Sequence, residues 1–537
     1  MKHLRATVLA ILFSSLSAFA QFDVGIVLPF ENHTRDSNLD WIGESFAQVL
    51  SSNLASPRFM MLDRRERAAA FDSLGVPNTS IVTYATIYKV AEALDADKLI
   101  LGSYEFRDGL IEANAQVLDL EGPSLSRKFT ESAPLEEFME LQTGLAWQIL
   151  RFLRPSRVLL REDVLQAGRG PNLEAFENYM RGLLANNRAE QLRYYQTAQR
   201  LEPQFTKPAF ELGMIYFHDR DYATSILWLA KLRRGDEDYL EANYFLGLAY
   251  LYLEQYERSS AAFRVVAQQL PLNEVYNNLG IALMRQNLPG AVSYFEKAVE
   301  SNPTDPDFQF NLGYAYWKRG SFAEAIPHLR AALEEADHPA WRVLYIKSLE
   351  ETGQAEQSAV QTRILAQQSA DFSPAMSDQQ FQNQERPKDN FDGTSFRQLR
   401  LLVRLQTELK HEKLSLEEHV ALHFERAQQL LQESADREAT EELRHVIDYD
   451  PNHAEAYREL AGVYLEAGRL EEASKAASRL LEQRKSASGY LLLARIYMAQ
   501  GELEEAQEQL DAAIRLEPAS PAAASLIEEL NSRSVSR

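Results

Sequence analysis

Residues 488–518 read SGYLLLARIYMAQGELEEAQEQLDAAIRLEP, and this stretch decides the fold. Tyr490, Leu493, Ala494 and Tyr497 recur at helical spacing, and Gly501 interrupts them. Leu503, Ala506, Leu510 and Ala513 then restore the period before Pro518 ends it. The pattern describes two helices joined by a tight turn. It also recurs: Leu212-Gly213, Leu246-Gly247, Leu279-Gly280 and Leu312-Gly313 follow one another at 34, 33 and 33 residues. Arg426-Ala427, Leu460-Ala461 and Leu493-Ala494 continue at 34 and 33. A period near 34 residues is the mark of a solenoid of helix pairs. The residue types have a packing logic. Gly and Ala let paired helices approach, Tyr and Phe fill the wider gaps between pairs, and Pro stops the second helix.

Other copies keep the same phase, with Leu246, Gly247, Tyr250, Tyr256, Phe263 and Pro271 in one, and Leu312, Gly313, Tyr316, Gly320, Phe322, Ala325, Leu329 and Ala332 in another. On these residues the repeats resemble the tetratricopeptide family. The phase predicts a first block of six repeats over residues 172–370 and a second of three over 416–518. A capping helix and tail follow at 519–537. Between the blocks, residues 371–395 are rich in Gln, Asp and Asn, contain Pro374 and Pro387, and read as a break or long loop. A connecting helix then leads to residue 415.

The resemblance implies that the first helix of each pair faces a concave groove. Its groove offsets fall on Phe210, Met214, Phe217, Tyr244, Leu248, Leu251, Asn277, Ile281, Met284, Phe310, Tyr314 and Trp317. So apolar a stripe has two readings. It is covered by tight superhelix closure, by the N-terminal domain or by the polar break; or it is open and binds an apolar or aromatic peptide segment. The second reading predicts that Phe310, Tyr314 and Trp317 line an open surface and not the inter-helix core, so that Tyr314→Ala with Trp317→Ala leaves the fold nearly intact. Some tetratricopeptide proteins hold a terminal carboxylate through Lys and Asn at these offsets; here Phe210 and Met214 stand there, which does not support that mode.

Residues 21–154 follow different rules. Val24–Phe30 is an apolar run broken by Pro29, and Phe59–Leu62 and Leu99–Phe106 give two further strands. Asp108-Gly109 signals a hairpin turn into Ile111, Ala113, Ala115 and Val117, which alternate as a half-buried strand does, with a last strand expected over Leu125–Phe129. Helical spacing marks Leu39–Leu50, Ile87–Leu94 and Leu135–Phe152. The expected fold class is therefore mixed: a small α/β (α+β) domain, a linker over 155–171, and an all-α superhelix in two blocks. The stretches GIVLPFENHTRDSNLDWIGESFAQVLSSNL, RFMMLDR and ADKLILGSYEFRDGLIEANAQVLDLEG resemble the N-terminal domain of the translocation protein TolB and related modules of flagellar and curli-associated outer-membrane proteins. No β-propeller pattern follows, and no cysteine is available for the lipid anchor of the curli type.

The first twenty residues have the form of a secretory leader, with Lys2 and Arg5, then Val8–Phe13, then Ala18-Phe19-Ala20 before Gln21. A periplasmic or secreted protein is expected. The chain contains no cysteine, which excludes disulfides, thiolate metal sites and a cysteine nucleophile. Its formal net charge is −22, made two units more negative by loss of Lys2 and Arg5 with the leader. That balance opposes nucleic acid and anionic lipid surfaces, so nucleic-acid binding is not expected, and no stretch after the leader reaches eighteen apolar residues, so direct membrane insertion is not expected either.

Motifs that carry chemistry fail on inspection. His419 and His423 are four apart on a predicted helix, but Val420 stands where a zinc protease needs its Glu; surface histidines are the expected reading. Asp448, Asp450, Asn452 and Glu459 match offsets of a calcium loop whose glycine position is His453. Gly168-Arg169-Gly170 runs into Pro171 instead of a phosphate-binding helix, and no Gly-x-Ser-x-Gly elbow occurs. No catalytic residue, cofactor or metal is expected. The sequence predicts a non-enzymatic adaptor for a protein or peptide partner, with a component of an envelope export or outer-membrane assembly machine as the alternative.

Overall fold

The computed structural model describes residues 23–535, apart from residues 35, 57–58, 77–82, 121, 123, 155–160, 162–169, 370, 392, 394, 397–398, 401–402, 404–413 and 433–435. The expected leader, most of the linker and most of the connecting helix lie outside the described residues. The chain divides into two compact units, residues 1–405 and 406–537.

The first unit begins with a mixed sheet in the order β3-β1-β4-β5-β6. β1 (Asp23–Val27) lies parallel to β3 (Phe59–Met61) and to β4 (Lys98–Arg107). β4 returns antiparallel as β5 (Leu110–Asp119) through Asp108 and Gly109, both at positive φ, 54° and 81°. This turn geometry matches the twist of the strands and explains the Asp-Gly pair. Short β2 (Glu31–Asn32) pairs with β4, while β6 (Ser124–Leu125) and β7 (Phe129–Ala133) pair with β5. The segment expected as one last strand is thus two.

Helices cover both faces. α1 (Trp41–Leu54) and α4 (Phe138–Leu153) bury the face that carries Val27, Ile100, Ile111, Ala113, Ala115 and Val117. α2 (Arg64–Ser73) and α3 (Tyr84–Ala93) bury the other, with Val24, Ile26, Leu99 and Leu118. The two-residue alternation along β5 sets this division. α2 was not expected from the sequence. It starts at a capping box in which Asp63 accepts from the Glu66 amide and the Glu66 side chain accepts from the Asp63 amide. Its Arg67 is fully buried, donates to the Val27 carbonyl at 3.1 Å and pairs with Glu44 of α1.

Six successive helix pairs follow among the described residues: α5 (Leu173–Leu184) with α6 (Arg188–Leu201), α7 (Thr206–His218) with α8 (Tyr222–Leu229), α9 (Tyr239–Tyr252) with α10 (Tyr256–Ala267), α11 (Asn273–Arg285) with α12 (Ala291–Ser301), α13 (Pro306–Lys318) with α14 (Phe322–Glu335), and α15 (Pro339–Glu351) with α16 (Ala355–Gln368). The Leu-Gly period has a direct cause. A Cβ on Gly213, Gly247, Gly280 or Gly313 would lie 2.5, 2.7, 2.7 or 2.8 Å from Leu229, Phe263, Phe295 or Leu329 of the paired helix. Only a hydrogen there lets each pair close.

The sheet and the first repeats share one core. The Trp41 ring meets Phe138 at 5.7 Å and Phe176 of α5 at 6.5 Å, both edge-on. The same cluster continues through Tyr179, Met180, Tyr195 and Leu212.

In the second unit α17 (Leu416–Gln432) pairs with α18 (Asp436–Tyr449), α19 (Ala454–Glu466) with α20 (Leu470–Gln483), and α21 (Ala487–Gln500) with α22 (Leu503–Leu516) before α23 (Pro521–Val535). Ala427, Ala461 and Ala494 occupy the close-approach position and are fully buried.

Candidate peptide groove of the first repeat block

The first helices of the later pairs, α9, α11, α13 and α15, carry the polar and aromatic groups of the groove. Residues 376–391 of the same chain run along them, from α15 back to α9. Apart from one short turn, Asp378–Phe381, this strap has no regular structure. Its backbone polar groups must therefore find partners elsewhere, and the groove supplies them.

At α15, Lys347 donates to the Met376 carbonyl at 2.7 Å and pairs with Asp378 at 2.6 Å. At α13, the Tyr314 hydroxyl donates to the Phe381 carbonyl at 2.6 Å, and the Phe381 ring is buried within the cluster of Phe310, Tyr314, Trp317 and Trp341. Asn311 takes both polar groups of Arg386, accepting from its amide at 2.8 Å and donating to its carbonyl at 2.8 Å. Asn277 of α11 donates to the same carbonyl at 2.9 Å and accepts from Asn311 at 2.7 Å. Asn278 repeats the clamp on Lys388, accepting from its amide at 2.8 Å and donating to its carbonyl at 2.7 Å. At α9, the Tyr244 hydroxyl donates to the Lys388 carbonyl at 2.6 Å. Burial pushes the phenol pKa values of Tyr244 and Tyr314 up, so both hydroxyls remain donors.

Arg386 and Lys388 are two apart on extended chain, so both present the same edge to the asparagines. Pro387 between them has no N–H to leave unpaired.

Side chains add charge and shape. Glu385 pairs with Arg285 at 2.6 Å, its own side chain only 1% exposed. Lys388 reaches Asp307 at 2.7 Å and Asp305 at 2.9 Å. Burial works against that ammonium, but the hydrogen bonds and charges of Asp307 and Asp305 outweigh it and raise its pKa. Asp305 serves twice, since its other oxygen caps α13 through the Asp307 and Phe308 amides. Arg386 donates to His338 Nε2 at 3.0 Å and lies over the Trp341 ring. Burial, and then the Arg386 charge, hold the His338 imidazole below its usual 6.5. Phe391 stands edge-on to Tyr244 at 4.8 Å and packs on Phe396 at 4.7 Å.

The expected groove residues therefore do not form an open surface. Tyr244, Asn277 and Tyr314 bond to the strap. Phe310 stacks on Trp341 at 4.5 Å and Trp317 stacks on Tyr314 at 6.0 Å, all beneath Phe381. Met214, Phe217, Leu248, Leu251 and Ile281 are buried in the core of the repeats, and half-buried Met284 packs against it. Phe210 lies under the Arg65 guanidinium of α2, which also pairs with Glu241 of α9 at 3.2 Å. The expectation that Phe310, Tyr314 and Trp317 line an open surface is corrected: they are 0, 0 and 7% exposed. The polar break is likewise no loose loop between its anchors. Sequence reasoning missed Asn278 and Asn311. Their signal was available, since each directly precedes a Leu-Gly pair.

In the second unit, His423 is not a surface residue. It is 9% exposed, with its ring 2.6 Å from Glu442, while His419 stacks on Tyr449. The calcium-like stretch is a turn in which Asp450 accepts from Asn452 and His453 caps α19. Among the described residues no group of three His, Cys, Asp or Glu is placed to hold a metal, and no helix is long and apolar enough to cross a membrane.

Tetratricopeptide repeat family models match residues 285–340, 423–490 and 484–530. The chain thus carries tetratricopeptide repeats, a class of helical repeat that builds protein–protein interaction scaffolds. The BBSome complex member BBS4 of Bos taurus is 25% identical over 147 residues, 27% of this chain and 28% of that protein, so the match spans under a third of that relative. Among solved structures, a crystal structure of MamA is 22% identical, with a TM-score of 0.26, covering 27% of this chain and 87% of that one. Pseudomonas aeruginosa pilF is 16% identical, with a TM-score of 0.31, covering 40% and 98%. The second TPR domain of human RPAP3, solved with an HSP70 peptide, is 19% identical, with a TM-score of 0.21, covering 22% and 98%.

Proposed function

We propose that this protein is a non-enzymatic, exported adaptor whose first repeat block grips a partner's extended segment in its groove. One observation carries the reading. Asn311 and Asn278 each bind both polar groups of one extended residue. Such a pattern recognises a peptide main chain and positions no nucleophile, base or oxyanion donor. The leader-like residues 1–20 support export to the periplasm or beyond.

A second reading, a component of an envelope export or outer-membrane assembly machine docked through the N-terminal domain, has its own support. That domain resembles the TolB module, and its β4–β5 hairpin exposes Phe106 and Leu110 at the tip. Crosslinking and affinity purification of the full chain from its native envelope tests both. A fixed stoichiometric complex favours the machine, and many substoichiometric clients favour the adaptor. Recovery of a free chain with its leader intact, from the cytoplasm, contradicts both.

A further inference from the structure

We infer that residues 376–391 are a built-in, displaceable ligand of the groove, and that the partner carries an extended segment of the same chemistry: an aromatic anchor, a carboxylate four residues on, a lysine three further, and a second aromatic three beyond that. The inference deepens the adaptor reading and rests on it.

The pattern comes from four of the places where strap side chains, as distinct from its backbone, meet the groove; Asp378 on Lys347 and Arg386 on His338 and Trp341 add to them. Phe381 fills the cluster of Trp317 and Trp341. Glu385 meets Arg285, Lys388 meets Asp305 and Asp307, and Phe391 meets Tyr244. A segment without the carboxylate would leave the Arg285 guanidinium, 18% exposed, without its acid. A segment with a second acid in place of the lysine would face two aspartates. The charge order, acid before base, therefore also fixes the direction in which a segment enters.

Displacement follows from how the strap is held. Between the anchors the side chains of Asn383, Asp389 and Asn390 face solvent, and Gln382 meets only the exposed Lys318 ammonium, at 2.8 Å. Asn383 takes φ of 59°, a left-handed conformation that costs a non-glycine residue free energy. Apart from the side chains of Asp378, Gln382 and Arg386, the rest of the grip falls on amides and carbonyls, which peptides of any sequence offer. A second chain satisfies Asn277, Asn278, Asn311, Tyr244 and Tyr314 as well as the strap does. The strap's advantage is its tether, since a short linker gives it an effective concentration on the order of millimolar. Weak segments are thereby refused, and a partner succeeds by binding tighter or at two points.

The probe is a fluorescent peptide of residues 376–393, titrated by anisotropy into the full chain. Phe381→Ala, Glu385→Ala and Lys388→Ala together loosen the strap without touching the groove. The loosened chain should bind the peptide at least tenfold tighter than the unaltered one. Adding Asn278→Ala and Asn311→Ala should abolish binding, as should Glu385→Arg in the peptide. A folded, loosened chain that ignores the peptide overturns the inference. Should that variant fail to fold, hydrogen exchange on the unaltered chain decides. Excess peptide should speed exchange at the Arg386 and Lys388 amides and leave α11 and α13 unchanged. Amides that exchange only with the helices, whatever the peptide concentration, overturn the inference. Neither failure touches the adaptor reading, which co-purification tests separately.

Discussion

Asn311 and Arg386 exchange two hydrogen bonds of 2.8 Å, side chain to backbone in both directions, across 75 residues of sequence. A residue of a repeat helix thus treats a distant part of its own chain as it would a foreign peptide. Asn278 does the same to Lys388.

Asn311→Ala removes both bonds and leaves Asn277 without one of its own. Each buried group left unpaired costs about 1–3 kcal/mol. Since the helix itself stays intact, the loss should appear mainly as faster exchange at residues 383–391. Exchange unchanged there contradicts the clamp.

Tyr314→Ala with Trp317→Ala should destabilise the first unit strongly. Large aromatic truncations in a core cost about 3–5 kcal/mol each, and these rings stack on each other beneath Phe381. Denaturant melts of the full chain measure it. A total change under about 0.5 kcal/mol, as for exposed positions, would show that the rings are not core.

Strap docking should weaken in mild acid. Burial and the Arg386 charge hold the docked His338 imidazole below 6.5, and undocking removes the Arg386 charge, so the undocked imidazole takes its proton at higher pH than the docked one. The undocked state therefore binds more protons in that window. Docking is strongest where the imidazole is neutral in both states and is lost as pH falls through the docked pKa, below 6.5. Exchange at the Arg386 amide should rise accordingly. His338→Gln, which keeps an acceptor for Arg386, should flatten the profile; an equally steep profile in that variant assigns the effect elsewhere.

Arg67→Ala should destabilise the N-terminal domain by about 3–5 kcal/mol, because it leaves Glu44 buried with only Arg64 near, at 3.4 Å. A thermal melt monitored at Trp41 reads it, and an unshifted transition contradicts the pairing.

A fragment of residues 21–218 should be more stable than one of 21–154. The shorter fragment uncovers Trp41 where Phe176 covers it, and burial of one large apolar side chain is worth about 1.5–3 kcal/mol. Equal melts for the two would place the core boundary at residue 154.

Much of this architecture was legible because it rests on periodic side-chain burial. Alternation along Ile111–Val117 gave the sheet face, Asp108-Gly109 gave the hairpin, and the Leu-Gly period gave the helix pairs, each for a steric reason visible in one sequence. α2 was missed although Asp63 and Glu66 spell its capping box, because its apolar positions are too few to show a period. His423 was read as exposed because its partner Glu442 lies on the next helix and leaves no local trace. The strap was the hardest to read. Much of its grip is through amides and carbonyls, which are the same in every sequence, and its charged side chains pair with residues far away in the chain, so residues 376–391 carry the composition of a loop while occupying the groove.

The most direct test of a self-occupied groove exploits the absence of cysteine from the chain. Lys318→Cys on α13 and Gln382→Cys on the strap replace two exposed residues whose side chains meet at 2.8 Å. With spin labels on both in the full chain, electron–electron distance measurement should give one short, narrow distribution, which broadens and lengthens when excess 376–393 peptide is added. A broad, long distribution without peptide would contradict the account, because the groove would then be empty.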